Sequence, residues 1–174
     1  MKKKKFILII LVILSIFNTT SYSLEFQGKF LQGHFVLGKT KPGSEIFVDN
    51  KKLKISDKGY FVFGIDRDRK FDILIIETRN GKSKKVIKKV YKRKYKIQRI
   101  DGLPESKVTP PESVYKRIKK ENNAIGEARA INSDLTFFAE QFIMPVKGII
   151  SGVYGSQRIL NGKPRWPHYG IDIA

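Results

Sequence analysis

A chain of 174 residues with 35 Lys+Arg, 16 Asp+Glu and no cysteine has room for one full domain or two small ones, and no disulfide can staple it. Thiol catalysis and cysteine-bound zinc are excluded too, so any metal must be held by carboxylates and the two histidines, His34 and His168. The formal charge of +19 points to an anionic partner.

Lys2, Lys3, Lys4 and Lys5 precede an apolar run from Phe6 to Phe17, and the polar stretch after it ends in Ser21-Tyr22-Ser23. A basic start, a short apolar core and small residues where signal peptidase reads predict an export signal over residues 1–23. The run is well short of the roughly 20 residues that span a bilayer comfortably. An uncleaved membrane anchor is the alternative. Export predicts a periplasmic or cell-envelope location, with no nucleic-acid partner. Removing residues 1–23 takes four lysines and no acid from +19, and the remaining +15 then faces envelope polymers.

Residues 24–100 read as short strands. Phe30–Leu37 is followed by the turn signal Lys41-Pro42-Gly43, and Glu45–Val48 meets a hairpin-like Asp49-Asn50 before Leu53–Ser56. Asp57-Lys58-Gly59 turns into Tyr60–Ile65, and Phe71–Thr78 ends in Asn80-Gly81, a strong hairpin signal. A last strand is expected from Val86 to Ile97. Short aromatic and β-branched strands with turns every 8–12 residues describe a small antiparallel sandwich.

Arg79 to Arg99 holds eleven Lys/Arg and no acid. Alternation puts Ile87, Tyr91, Tyr95 and Ile97 on one face and Lys88, Lys92, Lys94 and Lys96 on the other. Such a strand could hold the protein to an anionic envelope polymer, or could simply be an edge whose lysines prevent aggregation.

Residues 101–136 read as a linker and a helix. Thr109 is expected near its cap, with prolines in the first turn, and Val114, Ile118, Ile125 and Ala128 form a stripe expected to pack one domain on the other. Residues 137–174 change composition again and begin a second, Gly-rich β unit.

The segment that carries chemistry is Pro167-His168-Tyr169-Gly170-Ile171-Asp172-Ile173-Ala174. His168, Gly170 and Asp172 alternate with Tyr169, Ile171 and Ile173, which puts the polar pair on one strand face. Imidazole nitrogen and carboxylate oxygen are both zinc ligands at about 2.0–2.2 Å. Four residues of extended strand span about 13 Å, so both can reach one ion only if the chain bends near Gly170. The spacing alone also fits a surface histidine and an aspartate capping a turn.

The surrounding residues add a resemblance. Pro145-Val146-Lys147-Gly148-Ile149-Ile150-Ser151-Gly152-Val153-Tyr154-Gly155-Ser156-Gln157-Arg158, then Asn161-Gly162 and His168–Ala174, resemble the opening of the lysostaphin/LytM-type zinc metallopeptidase domain of exported bacterial peptidoglycan hydrolases. The resemblance covers residues 142–174. It implies that His168 and Asp172 ligate one Zn2+, and that the third protein ligand and a catalytic histidine come from a downstream H-x-H motif. It also implies that the substrate is the cross-linking peptide of peptidoglycan. These 174 residues contain no H-x-H, so the chain is expected to be part of a longer enzyme and inactive by itself, with no catalytic histidine before Ala174.

The expected fold is thus mainly β. A small antiparallel β-sandwich (24–100) is followed by a linker and helix (101–136) and the incomplete start of an all-β metallopeptidase core (137–174). Arg158 is the candidate for binding substrate, with Arg165 as a second cation near the first ligand and Trp166 as a candidate groove wall. Two other functions compete: a non-catalytic protein of the same fold that regulates other wall hydrolases, and an envelope-binding module whose β domain does the work.

Overall fold

The computed structural model describes residues 24–109 and 111–174; the expected export signal lies outside them. The chain is mainly β with one long helix, as expected from the sequence. One antiparallel sheet holds β1 (Glu25–Gln27), β2 (Phe35–Lys39) and β5 (Tyr60–Gly64) in the order β1-β2-β5. A second holds β3 (Glu45–Val48), β4 (Lys51–Lys52), β6 (Ile73–Arg79) and β7 (Lys82–Lys88) in the order β4-β3-β6-β7.

Alternate residues of the two sheets build one core. Val36, Phe61 and Phe63 from the first sheet cluster with Ile46, Ile73 and Ile75 from the second. Each such side chain contributes about 1.5–3 kcal/mol when fully buried. Turn chemistry sets the registers. Asp49-Asn50 (φ 46° and 68°) joins β3 to β4, and Asn80-Gly81 (φ 50° and 72°) joins β6 to β7, both with the paired positive φ of a type I′ hairpin. The buried Glu77 carboxylate accepts from the Thr40 and Ser44 hydroxyls, tying β6 to the Lys41-Pro42-Gly43 turn.

Asp49 also pins its hairpin. One carboxylate oxygen pairs with Arg69 at 2.6 Å and the other accepts the Leu74 amide at 3.2 Å. The Arg69 hydrogen bond holds this carboxyl below the usual carboxylate range against partial burial, and the Leu74 amide adds to the lowering. A carboxyl lowered by folding stabilises the protein above its unfolded pKa, and that contribution is lost as pH falls through the folded pKa. Stability is therefore expected to decline below about pH 4. Asp49→Asn should shallow that decline in denaturant midpoints taken across the acid range; an identical acid slope would contradict the pairing.

The basic stretch departs from its expected form. The strand breaks after Lys88, Tyr91 makes only an isolated bridge to Leu31, and a new strand, β8 (Ile97–Ile100), starts later. Over residues 86–91, at the end of β7 and just past it, the inward parity is the reverse of that expected: Val86, Lys88 and Val90 are half-buried, and Ile87 and Tyr91 are exposed. Lys88 can face inward because its ammonium lies over the Phe26 and Phe30 rings, 5.2 and 5.6 Å from their centroids. The break restores the expected parity at Tyr95, which is half-buried.

Two shorter differences follow from turns. Phe30–His34 forms a turn rather than the start of β2, and Leu53–Ser56 leaves the sheet after Lys52. A short helix, α1 (Glu105–Val108), precedes the long one, α2 (Glu112–Ala130). Pro111, not Thr109, caps α2; the Thr109 hydroxyl instead donates to Glu105 at 3.0 Å across α1. Nor does α2 pack one unit on another, since none of its residues is buried. Its apolar positions are too sparse among lysines, glutamates and Asn122-Asn123 to make a continuous stripe. Among the described residues no helix is long and apolar enough to cross a membrane.

Candidate metal site

A third sheet joins residues from both sides of the linker. It holds β8, β10 (Gln157–Leu160) and β11 (Lys163–Pro164) in the order β11-β10-β8. Asn161-Gly162 (φ 47° and 74°) closes the β10–β11 hairpin, whereas β10 and β8 run parallel, with Gln157 opposite Ile97 and Leu160 opposite Ile100. The Asn161 side chain secures the far end by donating to the Leu103 carbonyl at 2.7 Å and accepting its amide at 3.0 Å.

His168 lies in the segment after β11, with its backbone bonded to the turn that enters β10. Its amide donates to the Ser156 carbonyl at 2.8 Å, and its carbonyl accepts the Gly155 amide at 2.7 Å. That turn is held from the sandwich. Arg67, 9% exposed, donates through Nε to the Gly155 carbonyl at 2.9 Å and lies 4.4 Å from the Tyr95 ring centroid. The Tyr95 hydroxyl donates to the Arg67 carbonyl at 3.1 Å, and its ring fills the space a side chain at residue 155 would need. Gly155 also has φ +84°, so glycine is required there twice over. Burial pushes the Tyr95 phenol up.

Asp172 is placed by a second strand pair, β9 (Ile150–Gly152) with β12 (Asp172–Ile173). Asp172 stands opposite Gly152 but Ile173 stands opposite Ile150, so the register slips there and leaves Ser151 without an opposite residue. Irregularities of this kind re-aim a side chain. The carboxylate folds back over Gly152, where a Cβ would come 2.9 Å from the Asp172 Cγ and closer still to Oδ2. The chain bends at Gly170.

The result brings His168 Nε2 to 3.3 Å from Asp172 Oδ1, with the histidine side chain about one-third and the aspartate about two-thirds exposed. The distance is that of an ion pair, but the angles are not those of a hydrogen bond, and the solvent-shielded Nε2 has no hydrogen-bond partner. Two ligands at about 2.0–2.2 Å from a tetrahedral ion lie about 3.4 Å apart. An imidazole nitrogen left without a partner beside a carboxylate at that spacing is a donor pair that zinc can use.

The pair opens on a groove of about 510 Å³. Arg158, Arg165 and Trp166 line it, as do Lys96 and Gln98, which sequence reasoning assigned to the sandwich and did not connect to the site. Arg67 was likewise missed, because its role depends on a contact 88 residues away in sequence. His34 is not in this groove; it lines a separate one of about 580 Å³ with Phe35, Arg93 and Phe142. Among the described residues no three His, Asp or Glu stand close enough to share an ion. Neither a protein-family model nor a curated protein matches the chain.

Proposed function

We propose that the chain supplies the first two ligands of a zinc endopeptidase that cleaves the cross-linking peptides of bacterial peptidoglycan. The observation that carries this reading is the His168 Nε2–Asp172 Oδ1 pair, spaced at 3.3 Å with the nitrogen otherwise unpartnered and a groove beside it. When bound, zinc supplies a Lewis acid for the scissile carbonyl. His168 and Asp172 hold it, Gly152 leaves the carboxylate its room, and Arg158 meets a substrate carboxylate in the groove. The resemblance to the LytM-type family assigns the third ligand and a catalytic histidine to an H-x-H motif that these residues do not include, so cleavage requires a chain that contributes it. The cell envelope is the proposed location. The exposed lysines Lys82, Lys84, Lys85 and Lys89 are proposed to hold the protein to its anionic polymers.

The test is cleavage of purified wall peptides by protein carrying both parts of the site. His168→Ala and Asp172→Ala are each expected to lower turnover by at least about a hundredfold. Zinc binding without cleavage would favour a regulatory protein of the same fold, and undiminished cleavage by both variants would overturn the assignment.

A further inference from the structure

One face of the third sheet forms part of the groove beside His168, and its charges are unbalanced. Lys96 and Gln98 come from the β8 side and Arg158 from β10. Arg158 stands opposite Gln98 in the parallel pair. On its other side the Arg165 amide donates to the Arg158 carbonyl at 2.9 Å, which continues the β10–β11 ladder by one residue and sets the two arginines opposite each other. Like charges directly opposite on neighbouring strands destabilise a sheet.

Some cations near the sheets are paired with carboxylates. Arg67 pairs with Asp68, Arg69 with Asp49 and Lys163 with Glu105. The side chains of Arg158, Arg165 and Lys96 have no hydrogen-bond or ion-pair partner among the described residues, and the one carboxylate lining the groove is Asp172. Three exposed cations without a partner therefore line the groove that His168 and Asp172 also line. A local rule broken in this way, with no internal compensation, is characteristic of a binding site.

We infer that this row is a carboxylate-binding subsite, and that it selects peptides bearing free carboxylates beside the bond presented to His168 and Asp172. The inference rests on the endopeptidase reading for its choice of a peptide. A peptide lying along β10 presents its carboxylates to the Arg158 and Arg165 guanidiniums, whose planar forks suit that group, with Lys96 adding charge at the end nearer His168. Residues ahead of the linker thereby contribute to substrate selection through Lys96 and Gln98, on the β8 side of the third sheet.

The test needs no zinc and is run on metal-free protein, in buffer cleared of metal beforehand and holding no carboxylate chelator. A short peptide carrying two free carboxylates, and the same peptide with both amidated, are titrated into the 174-residue chain by calorimetry and by fluorescence of Trp166, the single tryptophan, which is 90% exposed in the groove. The diacid is expected to bind about tenfold more tightly than the diamide, and Arg158→Gln with Arg165→Gln together should remove about that tenfold. Added salt should weaken the diacid alone. Lys92→Gln, on the basic stretch outside the groove lining, should leave the titration unchanged. The arginine variants should melt at the same temperature as the parent or higher, because the repulsion is gone.

Equal affinity for diacid and diamide, an unaffected double arginine variant, or an equal loss on Lys92→Gln would overturn the inference. So would inorganic phosphate binding more tightly than the diacid. Loss of the zinc reading would leave these titrations as they are, and failure of the titrations would leave the metal pair untouched.

Discussion

Gly152→Ala is expected to weaken zinc binding by about a hundredfold without unfolding the protein. The Asp172 carboxylate occupies the space into which the new methyl would project, with Cγ 2.9 Å from the added carbon and Oδ2 nearer. The methyl is fixed by the backbone of β9, so the carboxylate is the group that must move. Asp172 is largely exposed and can swing into solvent at little cost to the fold, but it then leaves His168 Nε2. Ligand-positioning losses of this sort typically cost 10–100-fold in metal affinity. Direct zinc titration followed on the His168 ring by NMR measures it, with far-ultraviolet circular dichroism as the control. Unchanged affinity in a folded Gly152→Ala variant would mean that Asp172 does not bind from its observed position.

Phe61→Ala is expected to have the largest effect on stability. Phe61 is fully buried, packs edge-on to Phe26 at 6.4 Å and stacks on Phe63 at 6.5 Å. Its ring also lies over Gly38, its register partner on β2, in the space that a side chain there would fill. Truncating such a phenylalanine costs about 3–5 kcal/mol. A domain of this size commonly has only about 5–15 kcal/mol in total. Denaturant unfolding should show a large fall in midpoint, and zinc affinity in water should change little if the variant still folds. A loss below about 1 kcal/mol would contradict the packing described for the core.

Much of the sandwich was legible because turn chemistry is local. Asp49-Asn50 and Asn80-Gly81 predicted their hairpins from residue types that accept positive φ, and the aromatic and β-branched runs Glu45–Val48 and Tyr60–Gly64 between turn signals predicted their strands. The basic stretch was misread because alternation assumes an unbroken strand and places lysines outward. Lys88 breaks that assumption by resting on aromatic faces, and the break between Lys88 and Ile97 resets the parity. The parallel pairing in the third sheet left no local trace. Ile97–Ile100 and Gln157–Leu160 pair in parallel across some 60 residues of sequence, with backbone bonds and the Asn161 side chain as the connection. Periodicity cannot report a partner that far away. The same distance hid Arg67, Lys96 and Gln98 from the site, whereas His168, Gly170 and Asp172 could be read together because one bend of the chain brings the pair into reach.

The most direct measurement is a zinc titration of the chain followed by NMR of its two histidine rings. His34 and His168 are the only ones, and they lie in different grooves, so each reports on its own surroundings. With two protein ligands the binding is expected to be weak and to stop at one ion. Zinc should shift the His168 ring and leave that of His34 in place, and Asp172→Ala should abolish the His168 shift over the same concentrations. A His168 ring that does not respond to zinc, or one that responds equally after Asp172→Ala, would contradict the paired-ligand site.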